Sequence, residues 1–424
     1  MQVNTAINTE LNDLKELLKK TGNKLITFLI LLYPLLSSIG RFIPLADTIL
    51  TLLIIMTLLC EQLPKKRKIL KYCLIAFLFW ISYSMFPVTT EHSDHVKMLI
   101  IFLGAFDAMD SHLYKKAFVV IRRYRKTLLI QLSLILFCNI AFVFLDAGYS
   151  EQYTKLWSVS AYRGIYVDPH QCAYHICALL IIMLWISKIQ YRRYYFILVA
   201  GFEYCAAITG ARVPTVTAFA IGAVFAIDFV IRLKRERFDN KGNFMIAVMM
   251  SSLILVLVAI ILIMNTTFGS KMLESIGKQN FDNGRGSLRT ADILLFQKSD
   301  WMHKTFGNGT DGVINYHGNM KWGQPIWSHN DFMQVLCGMG IIMFLIYCLE
   351  WIKCLVYSFR MSITSGLIVI LMIAVAFFNG LYIHSRLTIL LPLLFIYMNY
   401  RNVDISNELD TSEEEKQVDS ICQS

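Results

Sequence analysis

The chain has 424 residues, of which 56% are hydrophobic and only 17% charged, and its mean hydropathy is +0.52. Soluble domains carry roughly 25% charge, so this composition excludes a cytosolic enzyme, a secreted disulfide scaffold and a disordered protein. It marks a polytopic membrane protein. The formal net charge of +10 reflects basic cytoplasmic loops rather than a nucleic-acid surface, because Lys and Arg collect in such loops.

Residues 1–23 are polar and helix-prone, without the apolar core of a cleavable signal, and read as a cytoplasmic N-terminal segment. Apolar stretches of spanning length then predict transmembrane helices near 24–40, 42–62, 69–87, 96–110, 127–146, 170–188, 194–210, 213–232 and 244–264. Three more follow near 329–352, 362–381 and 384–400. The fourth is short and contains Asp107. The fold class is therefore all-α, a bundle of about twelve spans. Basic clusters at Lys65–Lys68, Arg122–Lys126, Arg192–Arg193 and Arg232–Arg237 fall between alternate pairs of spans. Placing them in the cytoplasm puts both termini there. The tail 401–424, with Asp410 and Glu413–Glu415, reads as acidic, disordered and cytoplasmic.

This arrangement leaves residues 265–328 as one large external loop, too long for a plain connector. Residues 287–298 read as a helix with Leu288, Ala291 and Leu295 on one stripe, and Gly307–Gly312 as a turn-rich loop. A smaller external segment covers 147–169. The ten cysteines include no CxxC pair and read as small buried hydrophobes. Glu91–His95 has metal-ligand residue types without the spacing of a site, and no metal is expected. Two Asn-x-Thr sequons, at Asn265 and Asn308, carry meaning only in a cell that glycosylates them.

The chemistry gathers at the outer ends of the spans. Helices entering from outside start near 170, 213, 329 and 384, and each start is polar: Asp168-Pro169-His170, Arg212, Ser328-His329-Asn330-Asp331, and His384-Ser385-Arg386. Asp168 with Pro169 is a helix cap followed by an N1 proline, and Ser328 with Asp331 fits a capping box. Arg212 and Arg386 do not cap, since a cation at a helix N-terminus is disfavoured by roughly 0.3–1 kcal/mol. A shared anion resolves that conflict, and snorkelling to lipid phosphates is the alternative. His329 reads either as an interfacial residue bonded to a neighbour or as a general base. Arg285 and Arg289 share a helix face with Asp292. Spacing alone favours a solvated Arg289–Asp292 pair over a diphosphate clamp.

The run Ser328-His329-Asn330-Asp331-Phe332-Met333-Gln334-Val335-Leu336, closed by Gly338-Met339-Gly340-Ile341-Ile342, resembles the signature of the O-antigen polymerase and O-antigen ligase superfamily. So do Thr209-Gly210-Ala211-Arg212, the stretch from Arg285-Gly286 to Gly307-Asn308-Gly309, and Arg163-Gly164 through Asp168-Pro169-His170. The resemblance spans roughly 160–400. It departs at Lys304-Thr305-Phe306, where a proline is usual, and at Met343, where a glycine is. It implies a metal-independent glycosyltransferase without a cofactor, whose donor glycan rides on a polyprenyl diphosphate at the outer face of a bacterial plasma membrane. His329 would be the base. Arg212, Arg386, Arg285 and Arg289 would hold the diphosphate, and Asn330, Asp331, Arg163, Asp168 and His170 would orient or bind substrate. The expected partners are lipid-linked oligosaccharides, with a chain-length regulator and a flippase of the same pathway, and no nucleic acid. A transporter of lipid-linked oligosaccharides is the main rival reading. It would ordinarily carry internal repeats, and none is visible.

Overall fold

The computed structural model describes residues 2–43, 45–62, 66–85, 113–150, 161–190, 192, 194–237, 265–277, 285–322, 326–361 and 363–380. They form α1 (Gln2–Ile39), α2 (Leu45–Gln62), α3 (Lys66–Met85), α4 (Leu113–Arg123) and α5 (Arg125–Phe144). A two-residue ladder follows, β1 (Tyr149–Ser150) against β2 (Ala161–Tyr162), antiparallel with Tyr149 opposite Tyr162. Then come α6 (Pro169–Ile189), α7 (Tyr195–Ile208), α8 (Arg212–Arg237), α9 (Thr267–Gly277), α10 (Arg285–Lys298), α11 (Trp301–Phe306) and α12 (Thr310–His317). A π-turn over Gly318–Trp322 leads towards α13 (Asp331–Met361) and α14 (Ile363–Phe378).

Among the described residues, four helices are long and apolar enough to cross a membrane: Glu16–Ile39 of α1, all of α5 and α6, and Asp331–Arg360 of α13. Shorter apolar stretches occupy Thr48–Thr57, Tyr195–Ile208, Arg212–Ile227 and Val369–Phe378. The chain is thus a mostly helical membrane protein. The expected spans near 96–110, 244–264 and 384–400, the Glu91–His95 cluster and the acidic tail lie outside the described residues.

The bundle is organised around α6. Its start is fixed locally: Asp168 Oδ1 accepts from the backbone N–H of His170 (2.8 Å) and Gln171 (3.0 Å), and Pro169 takes the N1 position. A helix that is apolar on every side belongs inside a bundle, and α6 is buried almost throughout, packed by α1, α4, α7 and α8. The outer helices differ. On α5, Ile130, Leu134 and Phe137 are exposed, and on α13 so are Ile341, Leu345, Leu349, Ile352 and Val356. An apolar stripe of that length is costly in water and suits a lipid face. Lys71 of α3 pairs with Glu350 of α13 at 2.6 Å towards one end of the bundle. Among the described residues, His170, Arg212, Arg285 and His329 lie towards the other.

The segment 265–328 is more helical than the sequence predicts. The helix expected at 287–298 begins at Arg285, with Leu288 and Ala291 buried as the stripe requires. The expected loop over Gly307–Gly312 narrows to Gly307–Gly309, and Asp311 and Gly312 already lie in α12. The reason is a backbone crossing. Helix α13 is interrupted at Gly340 (φ 78, ψ 177), and a side chain there would collide with the Thr305 carbonyl. A side chain on Gly307 (φ 93) would collide with Gly338 in turn. The break frees the Cys337 carbonyl, which accepts from Asn308 N (2.8 Å) and Asn308 Nδ2 (3.0 Å).

Candidate functional site

At the polar end of the bundle, the starts of α6, α8 and α13 meet α9, α10 and the end of α14. Helix α13 is capped by Asn330, whose Oδ1 accepts from Met333 N at 3.1 Å. The expected Ser328–Asp331 capping box does not form: the Ser328 hydroxyl turns away, to 2.9 Å from Asp292 Oδ1 and 2.8 Å from Gln334 Oε1. Asp331 is buried in the first turn and accepts a long bond (3.4 Å) from Tyr347. His329 therefore precedes the helix proper, in a left-handed conformation (φ 50) that non-glycine residues adopt uncommonly.

The His329 ring is half-buried, and its Nδ1 is fully covered with no hydrogen-bond partner among the described residues. Burial lowers its pKa from 6.5 to about 4; Arg285, His170 and His317 add to the effect, and a hydrogen bond to the Asn379 backbone opposes it. At neutral pH the imidazole is uncharged and one ring nitrogen keeps a lone pair to offer. The neighbouring Asn330 Nδ2 is likewise buried and without a partner among the described residues. Unpaired buried groups of this kind are rare and call for an explanation. Both atoms are shut off from water in this conformation, so a substrate hydroxyl reaches them only when the neighbouring loop shifts.

Arg285 is aimed by the end of α14. Nη1 donates to the Phe378 carbonyl and Nη2 to Asn379 Oδ1, each at 2.7 Å, and Asn379 Nδ2 donates to Tyr174 of α6 at 2.7 Å. A cation at a helix C-terminus is favoured by the dipole. Arg289 sits one turn on, over the Phe377 ring at 5.8 Å. The solvated Arg289–Asp292 pair that spacing favours is absent: Asp292 is fully buried and bonds His317 instead, Nε2 to Oδ1 at 2.8 Å.

Arg212 starts α8 and donates to Ser275 Oγ of α9 at 3.0 Å. The same helix brings Lys271, which is buried and lies 3.4 Å from the Gly210 carbonyl. Burial, then the charge of Arg212, lowers its ammonium from 10.5 to about 8 against the pull of Glu274. Gly210 (φ 64) is required here, since a side chain on it would lie 2.9 Å from Lys271 Nζ. Arg285 and Lys271 both act electrostatically on His170. Three cations, Arg212, Lys271 and Arg285, thus form one electropositive mouth, which His170 links to the surroundings of His329.

The remaining predicted residues divide. Asp168 is occupied as the α6 cap, with its Oδ1 3.9 Å from His170 Nδ1. Arg163 follows β2 and stands with Arg41, not with the neighbours of His329. Arg41 Nη1 donates to the Gly164 carbonyl at 2.8 Å, and burial, then the Arg163 charge, lowers its pKa. Arg386 lies outside the described residues. Sequence reasoning missed Lys271, Asn379, Tyr174, His317 and Gln334. Lys271 had a signal, the polar i, i+4, i+8 stripe Thr267, Lys271, Ser275. Asn379 had another, a polar residue closing an apolar run before Gly380 (φ 83). Among the described residues no group of three or more His, Cys, Asp or Glu side chains is arranged to hold a metal ion. No protein-family model matches the chain, and no curated protein matches it at significant similarity.

Proposed function

We propose that the chain is a metal-independent membrane glycosyltransferase that polymerises lipid-linked oligosaccharide repeat units. In this reading about twelve spans place both termini in the cytoplasm and the mouth around His329 on the outer face of a bacterial plasma membrane. The observation that carries the reading is the covered, unpartnered Nδ1 of His329 beside Arg285. The resemblance of the Ser328–Ile342 run to polymerases and ligases of O-antigen supports it.

The donor is a glycan on a polyprenyl diphosphate. The acceptor hydroxyl oxygen attacks the donor's anomeric carbon, and the bond from that carbon to the diphosphate oxygen breaks. Its electron pair leaves with the diphosphate, and the hydroxyl proton passes to His329. Arg285, Arg212 and Lys271 face the charge that grows on the leaving group, with Arg386 and Arg289 in the same expected set. A free imidazole with a pKa near 4 is a weak base. Burial depresses it first and the Arg285 charge next; a diphosphate docked beside Arg285 offsets the second, so the base strengthens when substrate arrives. The His329-Asn330-Asp331-Phe332 run and the glycines after it resemble repeat-unit polymerases more closely than ligases, which favours another lipid-linked unit as the acceptor.

The test is reconstitution of the purified chain in liposomes with a polyprenyl-diphosphate-linked repeat unit and EDTA. A ladder of repeat multiples, lost in His329→Ala while the protein still inserts, is the expected result. Product that forms only after a lipid A–core acceptor is added would make the chain a ligase. No transfer to any acceptor would overturn the proposal.

A further inference from the structure

The left-handed conformation of His329 persists only if its neighbours fix it. The residue before it, Ser328, is held by the long loop. Its hydroxyl has one proton to share between Asp292 Oδ1 and Gln334 Oε1, and Gln334 Oε1 also accepts from the Ser328 N–H at 3.3 Å. Asp292 is held in turn by His317, which donates through Nε2 to Oδ1 (2.8 Å) and through Nδ1 to the Ile326 carbonyl (2.7 Å). A ring donating through both nitrogens is an imidazolium. Both side chains are 0% exposed, so neither charge is replaceable by water.

We infer that Asp292 and His317 are a positioning pair for His329. Through Ser328 they fix the base's backbone, and the His317 charge stands behind it. Asp292 comes from α10 and His317 from α12, so the long loop sets the base directly instead of only covering the substrate. The groups acting on His329 are Arg285 of α10, His170 of α6 and His317 of α12, opposed by a bond to the Asn379 backbone at the end of α14; Asp331 lies two residues on in the sequence. His317 faces Asp292, and that bond and charge outweigh the burial that disfavours its charged form.

The inference rests on the proposed function only for its activity readout. Full-length protein in detergent, with its histidine rings carbon-13 labelled, is titrated by NMR, and His329 is assigned by the signal missing in His329→Gln. In His317→Gln, which keeps a donor for Asp292 but no charge, the His329 midpoint should rise. An unchanged midpoint would overturn the coupling whether or not the chain polymerises. In the liposome assay, Ser328→Ala and His317→Ala should each lower kcat by about tenfold to a hundredfold with KM nearly unchanged, and His317→Gln should retain more activity than His317→Ala. Wild-type kcat in both alanine variants would overturn the positioning role. If wild-type protein makes no polymer, the proposed function falls and the titration alone decides the inference.

Discussion

Arg285 combines two tasks that a lysine could not. Its fork binds the Phe378 carbonyl and Asn379 together, and its charge reaches both His329 and His170. Arg285→Lys keeps the charge and loses the fork, so kcat/KM should fall about a hundredfold, roughly 2.7 kcal/mol of transition-state stabilisation. A drop of less than threefold in steady-state assays would make the guanidinium geometry irrelevant. In the proposed function His329 acts as a base, and a base must be unprotonated. Activity is retained above its pKa and lost as pH falls through it. For the free enzyme, the acid limb of kcat/KM should lie near pH 4. In the substrate complex the limb of kcat should lie at higher pH, because the diphosphate offsets the Arg285 charge. Coincident limbs in parallel pH profiles would contradict that field effect. Residue identity at these positions was legible from the sequence, but its use was not. Asp292 sits a turn from Arg289, yet it bonds a histidine 25 residues away.

Among the elements, the contact between α11, the Gly307 turn and α13 sets the geometry of the long loop. Two backbones pass so closely that both Gly307 and Gly340 must lack a side chain, and both adopt positive φ. Gly340→Ala should destabilise the folded chain by about 1–3 kcal/mol from backbone conformation alone, with the clash against Thr305 added. Thermal unfolding in detergent should show a lowered midpoint, whereas Gly277→Ala, with nothing within 4 Å among the described residues, should leave it near wild type. Equal midpoints would mean the crossing contributes nothing to stability. Helix starts were partly legible. The Asp168-Pro169 cap is local and forms as its residues predict. The cap of α13 shifts from Ser328 to Asn330 because Asp292 claims the serine hydroxyl, a competitor no local pattern displays.

The whole molecule separates its polar ends. Lys71–Glu350 lies towards one, and the electropositive mouth occupies the other. If basic clusters mark the cytoplasmic side, a cysteine introduced at exposed Asn315 in α12 should react with a membrane-impermeant maleimide in intact cells. One at exposed Lys126 should react only after permeabilisation. The reverse pattern in labelling gels would invert the orientation and remove the mouth from the outer face. The sequence by itself determined the membrane class, a mostly helical fold and the local cap of α6, and it put His329, Arg285 and Arg212 forward as site candidates. Hydropathy, helical period and capping act within a few turns of chain, so they can be read in order along it. Only the tertiary structure decided which of these residues meet. Arg285 reaches Asn379 across 94 residues, and Arg212 reaches Ser275 across 63. Lys271 enters the mouth because Gly210 leaves room for it, and Asp292 leaves solvent because His317 is there to hold it. Burial makes each polar group depend on its partner, and the packing of distant helices chooses that partner.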